Sequence, residues 1–169
     1  SQENPCSSIL GDNNLCSNDD FSFMNDNQYG WATIDIREPF FKYKDRFFGW
    51  IFLNPKISNW QDEYNKWKDH QGFVGVKIHP FWHRYSLKEA YPIARLAQEE
   101  KLPLMVHLGF EPIENISEFA SEFIYLKVIF SHAGFPLYSD IWPIIKNAPN
   151  FYVDLSSHHV DALILRKVV

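Results

Sequence analysis

Four short apolar runs in this chain end on residues able to hold a metal ion or move a proton. Phe73-Val74-Gly75-Val76-Lys77-Ile78 runs into His79, Leu104-Met105-Val106 into His107, Val128-Ile129-Phe130-Ser131 into His132, and Phe151-Tyr152-Val153 into Asp154. Neutral imidazole suits both acid–base work and ligation of zinc-like ions, and a carboxylate can ligate or orient. A single histidine at a strand end is ordinarily structural. Repetition at spacings that fit one helix plus its loops changes the reading, because polar groups at the carboxyl ends of successive parallel strands converge on one mouth of an α/β barrel.

The elements that must position these groups follow from patterning. Candidate strands are Trp31–Ile36, Phe47–Leu53, Phe73–Ile78, Leu104–His107, Lys127–Ser131 and Phe151–Leu155. They are nearly continuous apolar runs, as expected when both faces are covered. Helices fall between them. Ser86 with Glu89 forms a capping-box pattern ahead of the stripe Leu87, Ala90, Tyr91, Ala94 and Ala97. Asn115 with Glu118 repeats the device ahead of Ile116, Phe119, Ala120 and Phe123. A third helix is expected from Ser139, with Ile141, Ile144 and Ile145 inward, stopping before Pro149, and the segment His158–Val169 also reads as helical. Alternating strands and helices imply right-handed βαβ units. Without a Gly-x-Gly-x-x-Gly or phosphate loop, a (β/α) TIM-barrel type of α/β fold is favoured over a nucleotide-binding sheet, with about six units visible.

Side chains alternate along a strand, so Lys77 and His79 share one face, His107 shares a face with Met105, His132 with Phe130 and Val128, and Asp154 with Tyr152. A consistent choice of face turns Lys77, His107, His132 and Asp154 inward. The loop Pro80-Phe81-Trp82-His83-Arg84-Tyr85 follows at the same mouth. Its aromatic faces and one guanidinium could hold a planar anionic molecule, which makes His79, Trp82, Arg84 and Asp154 the candidate substrate contacts.

Bulk properties narrow the class. The 169 residues are 46% hydrophobic and 22% charged, ordinary for a globular protein with a sizeable core. A net charge of −5 supplies no basic stripe, so nucleic acid is not an expected partner, and no apolar stretch is long enough to span a membrane. Residues 1–22 are rich in Ser, Asn and Asp and read as a polar amino-terminal segment, leaving 23–169 as a partial barrel domain. Cys6 and Cys16 both lie in that polar segment, and no signal-peptide core precedes them, so a reducing, cytoplasmic setting is expected.

At these residues the chain resembles the amidohydrolase superfamily, in its amidohydrolase-related branch of metal-dependent hydrolases and decarboxylases. The phrases that carry the resemblance are Arg46-Phe47-Phe48-Gly49-Trp50-Ile51-Phe52-Leu53-Asn54-Pro55, Gly75-Val76-Lys77-Ile78-His79-Pro80, Val106-His107-Leu108-Gly109, Ser131-His132-Ala133-Gly134 and Pro149-Asn150-Phe151-Tyr152-Val153-Asp154-Leu155-Ser156. The resemblance implies that His107 is the metal-binding histidine after the fifth barrel strand. It implies that His132 is the histidine after the sixth, a second ligand in some members and a catalytic acid/base in others. Lys77 falls where binuclear members carry a carboxylated, metal-bridging lysine, a position that many mononuclear members leave unused. A divalent cofactor, zinc above all, and a small-molecule substrate are implied.

Two departures accompany these matches. No His-x-His, the family's first-strand ligand pair, occurs in the chain, and no eighth-strand aspartate is visible. Six strands where a full barrel has eight lead to the expectation of an incomplete barrel that pairs with another copy or a complementing chain. Two histidines leave a four-coordinate shell half filled, so weak metal binding is expected. The leading expectation is a hydrolase of a small amide, ester or lactone, or a decarboxylase. The alternative is an inactive amidohydrolase-like pseudoenzyme or interaction subunit.

Overall fold

The structure is a computed structural model, and it describes residues 48–156 together with 45, 46 and 166. The expected strand over Trp31–Ile36, the polar segment 1–22 and the expected terminal helix over 158–169 lie outside the described residues, apart from Arg166, which is helical. The order is β1 (Gly49–Phe52), α1 (Trp60–Trp67), β2 (Phe73–Ile78), a single helical turn α2 (Pro80–His83), a 3-10 turn (Leu87–Ala90) leading into α3 (Tyr91–Glu99), β3 (Leu104–Val106), α4 (Ile113–Glu122), β4 (Val128–Phe130), a 3-10 turn (Ser131–Gly134), α5 (Tyr138–Asn147) and β5 (Phe151–Val153). The described strands form one parallel sheet in sequential order, β1-β2-β3-β4-β5. Sequential parallel strands joined by helices are what a partial α/β barrel requires.

Register separates the two faces of the sheet. Ile51, Val76, Leu104, Val128 and Phe151 pair across all five strands, and each is at most 4% exposed. One residue further along, Phe52, Lys77, Met105, Ile129 and Tyr152 form the adjacent row, and every member retains some exposure, reaching 48% at Tyr152. The first row faces the helices and packs on Ile93, Ala94, Ile116, Phe119 and Ile141; the second faces the barrel side. Burying each helix-facing aliphatic or aromatic side chain contributes on the order of 2 kcal/mol, which fixes the register, since a one-residue slip would turn the whole buried row outward.

The helices start where local chemistry allows. Ser86 Oγ accepts from the Glu89 amide while the Glu89 carboxylate accepts from the Ser86 amide at 2.7 Å, so the expected capping box is present. The second expected cap differs. Helix α4 begins at Ile113 after Pro112, with no side-chain cap, and Asn115 lies inside it, its amide donating to Glu111 at 3.0 Å. Proline supplies a fixed φ just before the first helical residue, which sets the start three residues earlier than the polar pattern suggests.

Gly75 stands beside Trp50 in the register, and a Cβ built there would lie 2.3 Å from the indole carbon Cζ3 and 2.7 Å from the Pro103 carbonyl oxygen. The backbone oxygen cannot move cheaply, so overpacking is expected to cost about 1–3 kcal/mol. Gly75→Ala should lower the urea midpoint by a corresponding amount, whereas an unchanged midpoint would contradict the close seating of Trp50 on β2.

Candidate active site at the carboxyl ends of the strands

Parallel pairing places the residues after β2, β3 and β4 side by side. The His79 and His107 rings stack with centroids 4.0 Å apart and planes 13° from parallel, and the His107 and His132 rings meet edge-on with centroids 5.0 Å apart. Asp154, at the end of β5, lies 3.9 Å from His132 Nδ1. His79, His107, His132 and Asp154 therefore form one group, and Lys77 sits beneath it on the barrel-facing row, close enough to influence the charge of His79 and His107.

Simple alternation does not carry His132 there. Val128 and Phe130 are fully buried on the helix-facing side, so a strand continuing past Phe130 would point His132 into the helices. The backbone instead turns left-handed at His132 (φ 57°) and Ala133 (φ 58°), and Gly134 follows at φ 85°. That geometry is disfavoured for residues with a Cβ and is held by fixed partners. Asp154 Oδ1 accepts from the His132 amide at 3.1 Å, and the Asp154 carbonyl accepts from the Ala133 amide at 2.7 Å.

Hydrogen bonds to the rings distinguish the three histidines. His107 Nδ1 lies 3.1 Å from the Leu108 carbonyl oxygen, and His132 Nδ1 contacts the Ser156 carbonyl oxygen. A carbonyl only accepts, so each Nδ1 carries the proton and each Nε2 keeps its lone pair. At His79 the polarity is reversed: the Trp82 amide donates to Nδ1 at 3.2 Å, so the neutral ring holds its proton on Nε2. His79 is also the N-cap of α2, and its own amide donates to the Tyr85 hydroxyl at 3.0 Å. It is built as a structural support, and His107 and His132 as the rings with a free lone pair.

Burial keeps His79 and His107 neutral. Burial, reinforced by His107, Lys77 and His83, pushes the His79 pKa down to about 2. Burial also lowers His107, with His132 and Lys77 adding to it against the Leu108 hydrogen bond. Burial lowers Lys77, opposed by Asp154. At Asp154 burial favours the neutral acid, but hydrogen bonds from Ser156 and the His132 amide outweigh it and hold the pKa below the usual aspartate value. Neutral imidazole is the form that ligates a metal.

The remaining candidates divide. Trp82 stacks on His79 at 4.3 Å, so its indole supports the histidine stack. Arg84 is exposed at the carboxyl end of α2 with φ 53°, and its carbonyl accepts from Lys56 Nζ at 2.6 Å; among the described residues it is not packed against the histidines. Sequence reasoning passed over His83, which is buried against Phe52, His79 and Tyr85, and it passed over Phe110 and Phe135. Phe81 and Phe135 lie 5.7 and 6.3 Å from His107, and Phe110, 77% exposed, lies 5.2 Å from Phe81. The missed signal is the repeated phrase His-x-Gly-Phe, at His107-Leu108-Gly109-Phe110 and His132-Ala133-Gly134-Phe135, which sets an aromatic ring three residues after each histidine.

The donor set can be tested against a divalent ion. Two imidazoles on one tetrahedral ion, with metal–nitrogen bonds of about 2.0–2.1 Å, place their ring centres roughly 5 Å apart. The separation of His107 and His132 matches this, whereas the face-to-face stack of His79 on His107 does not converge on a common point. Among the described residues, no group of three or more His, Cys, Asp or Glu side chains is arranged to hold a metal. The spacing of His107 and His132 is thus compatible with two ligands of such a site.

The comparisons agree with this architecture. The amidohydrolase family profile matches residues 31–164, and the chain belongs to the amidohydrolase family. Its fold is similar to the crystal structure of an uncharacterized TIM-barrel protein from Bordetella bronchiseptica, with a TM-score of 0.63 at 17% identity. The match covers 79% of this chain and 52% of that one, so the chain spans about half the length of the structure it resembles. No curated protein matches the chain.

The depressed His79 pKa has a stability consequence with a definite sign. The unfolded ring takes up a proton below about pH 6.5 and the folded ring does not until about pH 2, so this contribution is complete above the unfolded pKa and is lost as pH falls. His79→Asn keeps a side chain able to cap α2 and removes the titrating group. Urea midpoints should fall between about pH 7.5 and pH 5.5 in the wild type by up to about 1.4 kcal/mol per pH unit below 6.5, and less steeply in the variant. Equal slopes would contradict a buried, neutral His79.

Proposed function

We propose that this chain carries part of the active site of a metal-dependent hydrolase or decarboxylase acting on a small molecule, with His107 and His132 as ligands through Nε2. The observation that supports it most is the pair of rings at 5.0 Å whose Nδ1 atoms are both bonded to backbone carbonyls. A bound divalent ion, zinc in the first instance, would polarise a carbonyl and lower the pKa of water. The chain's own residues do the rest. The Leu108 and Ser156 carbonyls fix the two tautomers, and His79, stacked on one face of His107, restricts its rotation.

Lys77 serves as the cation under the substrate, its charge tuned by burial and by Asp154. Where the ion is held by His107 alone, His132 Nε2 is the atom that takes a proton from water or returns it to a leaving group. Phe81 and Phe135 pack beside His107, with Phe110 against Phe81, and suit a flat substrate with an apolar face, its carboxylate or carbonyl directed to Lys77 and the histidines. Membership of the amidohydrolase family supports hydrolysis or decarboxylation as the reaction class. A second chain, a further copy or a complementing one, is the proposed partner that covers the barrel-facing row. No helix among the described residues is long and apolar enough to cross a membrane, and we place the protein in the cytoplasm as part of this reading.

Titration of the full chain with zinc, followed calorimetrically, and with cobalt, followed by visible absorption, tests the reading. One ion per chain is expected, bound weakly because the described ligands fill half a tetrahedral shell. His107→Ala should abolish binding. Loss in His132→Ala assigns that ring as a ligand, and retention assigns it to proton transfer. A wild-type chain that takes up neither ion would contradict the proposal and favour an inactive relative that keeps the fold.

A further inference from the structure

We infer that Asp154 is a positioning residue, which holds His132 beside His107 by clamping the left-handed turn that follows β4. The inference rests on the reading of His132 as a metal ligand and deepens it. Asp154 Oδ1 accepts three hydrogen bonds, from the His132 amide at 3.1 Å, from the Ser156 amide at 2.9 Å and from the Ser156 hydroxyl. Its carbonyl takes a fourth from the Ala133 amide at 2.7 Å. The same residue thus fixes both ends of the His132 ring's support. It holds the backbone at φ 57° from which the ring projects, and it holds Ser156, whose carbonyl receives Nδ1–H and selects the tautomer.

With three donors on Oδ1, that oxygen is committed to the turn that carries His132, and Asp154 acts through His132 by way of it. Without the carboxylate, the left-handed His132 loses the acceptor for its amide and the anchor of Ser156, and only backbone bonds such as that from Ala133 to the residue 154 carbonyl oppose the return of the ring toward the helix-facing side.

The test uses the full chain with two readouts. In metal-free protein, amide hydrogen exchange followed by NMR should show the His132 and Ser156 amides losing protection in Asp154→Ala, with β3 amides such as Val106 unchanged. Asp154→Asn, whose side-chain carbonyl oxygen can still accept from the His132 and Ser156 amides, should keep most of that protection. In cobalt titrations, Asp154→Ala should weaken binding about 10–100-fold, as expected for the loss of a group orienting a ligand, with Asp154→Asn closer to wild type. Combined with His132→Ala, Asp154→Ala should add no further loss, because it acts through that ring.

Unchanged protection of His132 and Ser156 in Asp154→Ala would overturn the inference, and so would an additive loss of cobalt binding in the double variant. If Asp154→Ala does not fold, equal loss of His132 protection in Asp154→Asn overturns it as well. Should the wild type take up no cobalt, the functional reading fails, and exchange in the metal-free protein alone decides the clamp.

Discussion

Parallel register across β2, β3, β4 and β5 is the constraint on which the rest depends. The buried row Val76, Leu104, Val128 and Phe151 leaves no freedom to slide, because each member lies at most 4% exposed against the helix layer. Once those residues are level, the positions three or four residues further along are level too. His79, His107 and His132 then arrive at one end of the sheet with rings 4.0 and 5.0 Å apart. A site made of residues far apart in sequence is therefore assembled by aliphatic packing, and its accuracy is that of a close-packed core.

The polar end of the sheet depends on a second layer of order, supplied by backbone carbonyls. Three imidazoles in contact are chemically alike until their partners are counted. Carbonyls of Leu108 and Ser156 leave His107 and His132 with a lone pair on Nε2, and the Trp82 amide does the reverse to His79. Burial keeps His79 and His107 neutral, so the stack does not build up charge, and Asp154 stays ionised through its hydrogen bonds with Ser156 and the His132 amide. The result is a pair of Nε2 lone pairs beside a fixed carboxylate and a half-buried lysine.

Much of this was legible in the sequence. Near-continuous apolar runs located the five described strands to within one or two residues, and the Ser86–Glu89 pattern marked its cap correctly. Two readings failed for local reasons. Asn115 looked like a cap, but Pro112 had already set φ for the helix start. Strict alternation grouped His132 with the barrel-facing residues by way of Phe130, although Phe130 faces the helices, and the ring reaches the site only through a left-handed turn. Period-two patterning describes a strand and says nothing about the turn that follows it. The separate character of His79 was not legible either, since a tautomer is set by a hydrogen-bond partner and leaves no trace in composition or spacing.

The proposed site depends most directly on which ring nitrogens of the three histidines carry protons, which long-range proton–nitrogen NMR correlations read residue by residue at mildly alkaline pH in the metal-free protein. The structure predicts the proton on Nδ1 in His107 and His132 and on Nε2 in His79. A proton on Nε2 in His107 or His132 would remove the lone pair on which the proposed site depends and would contradict the account.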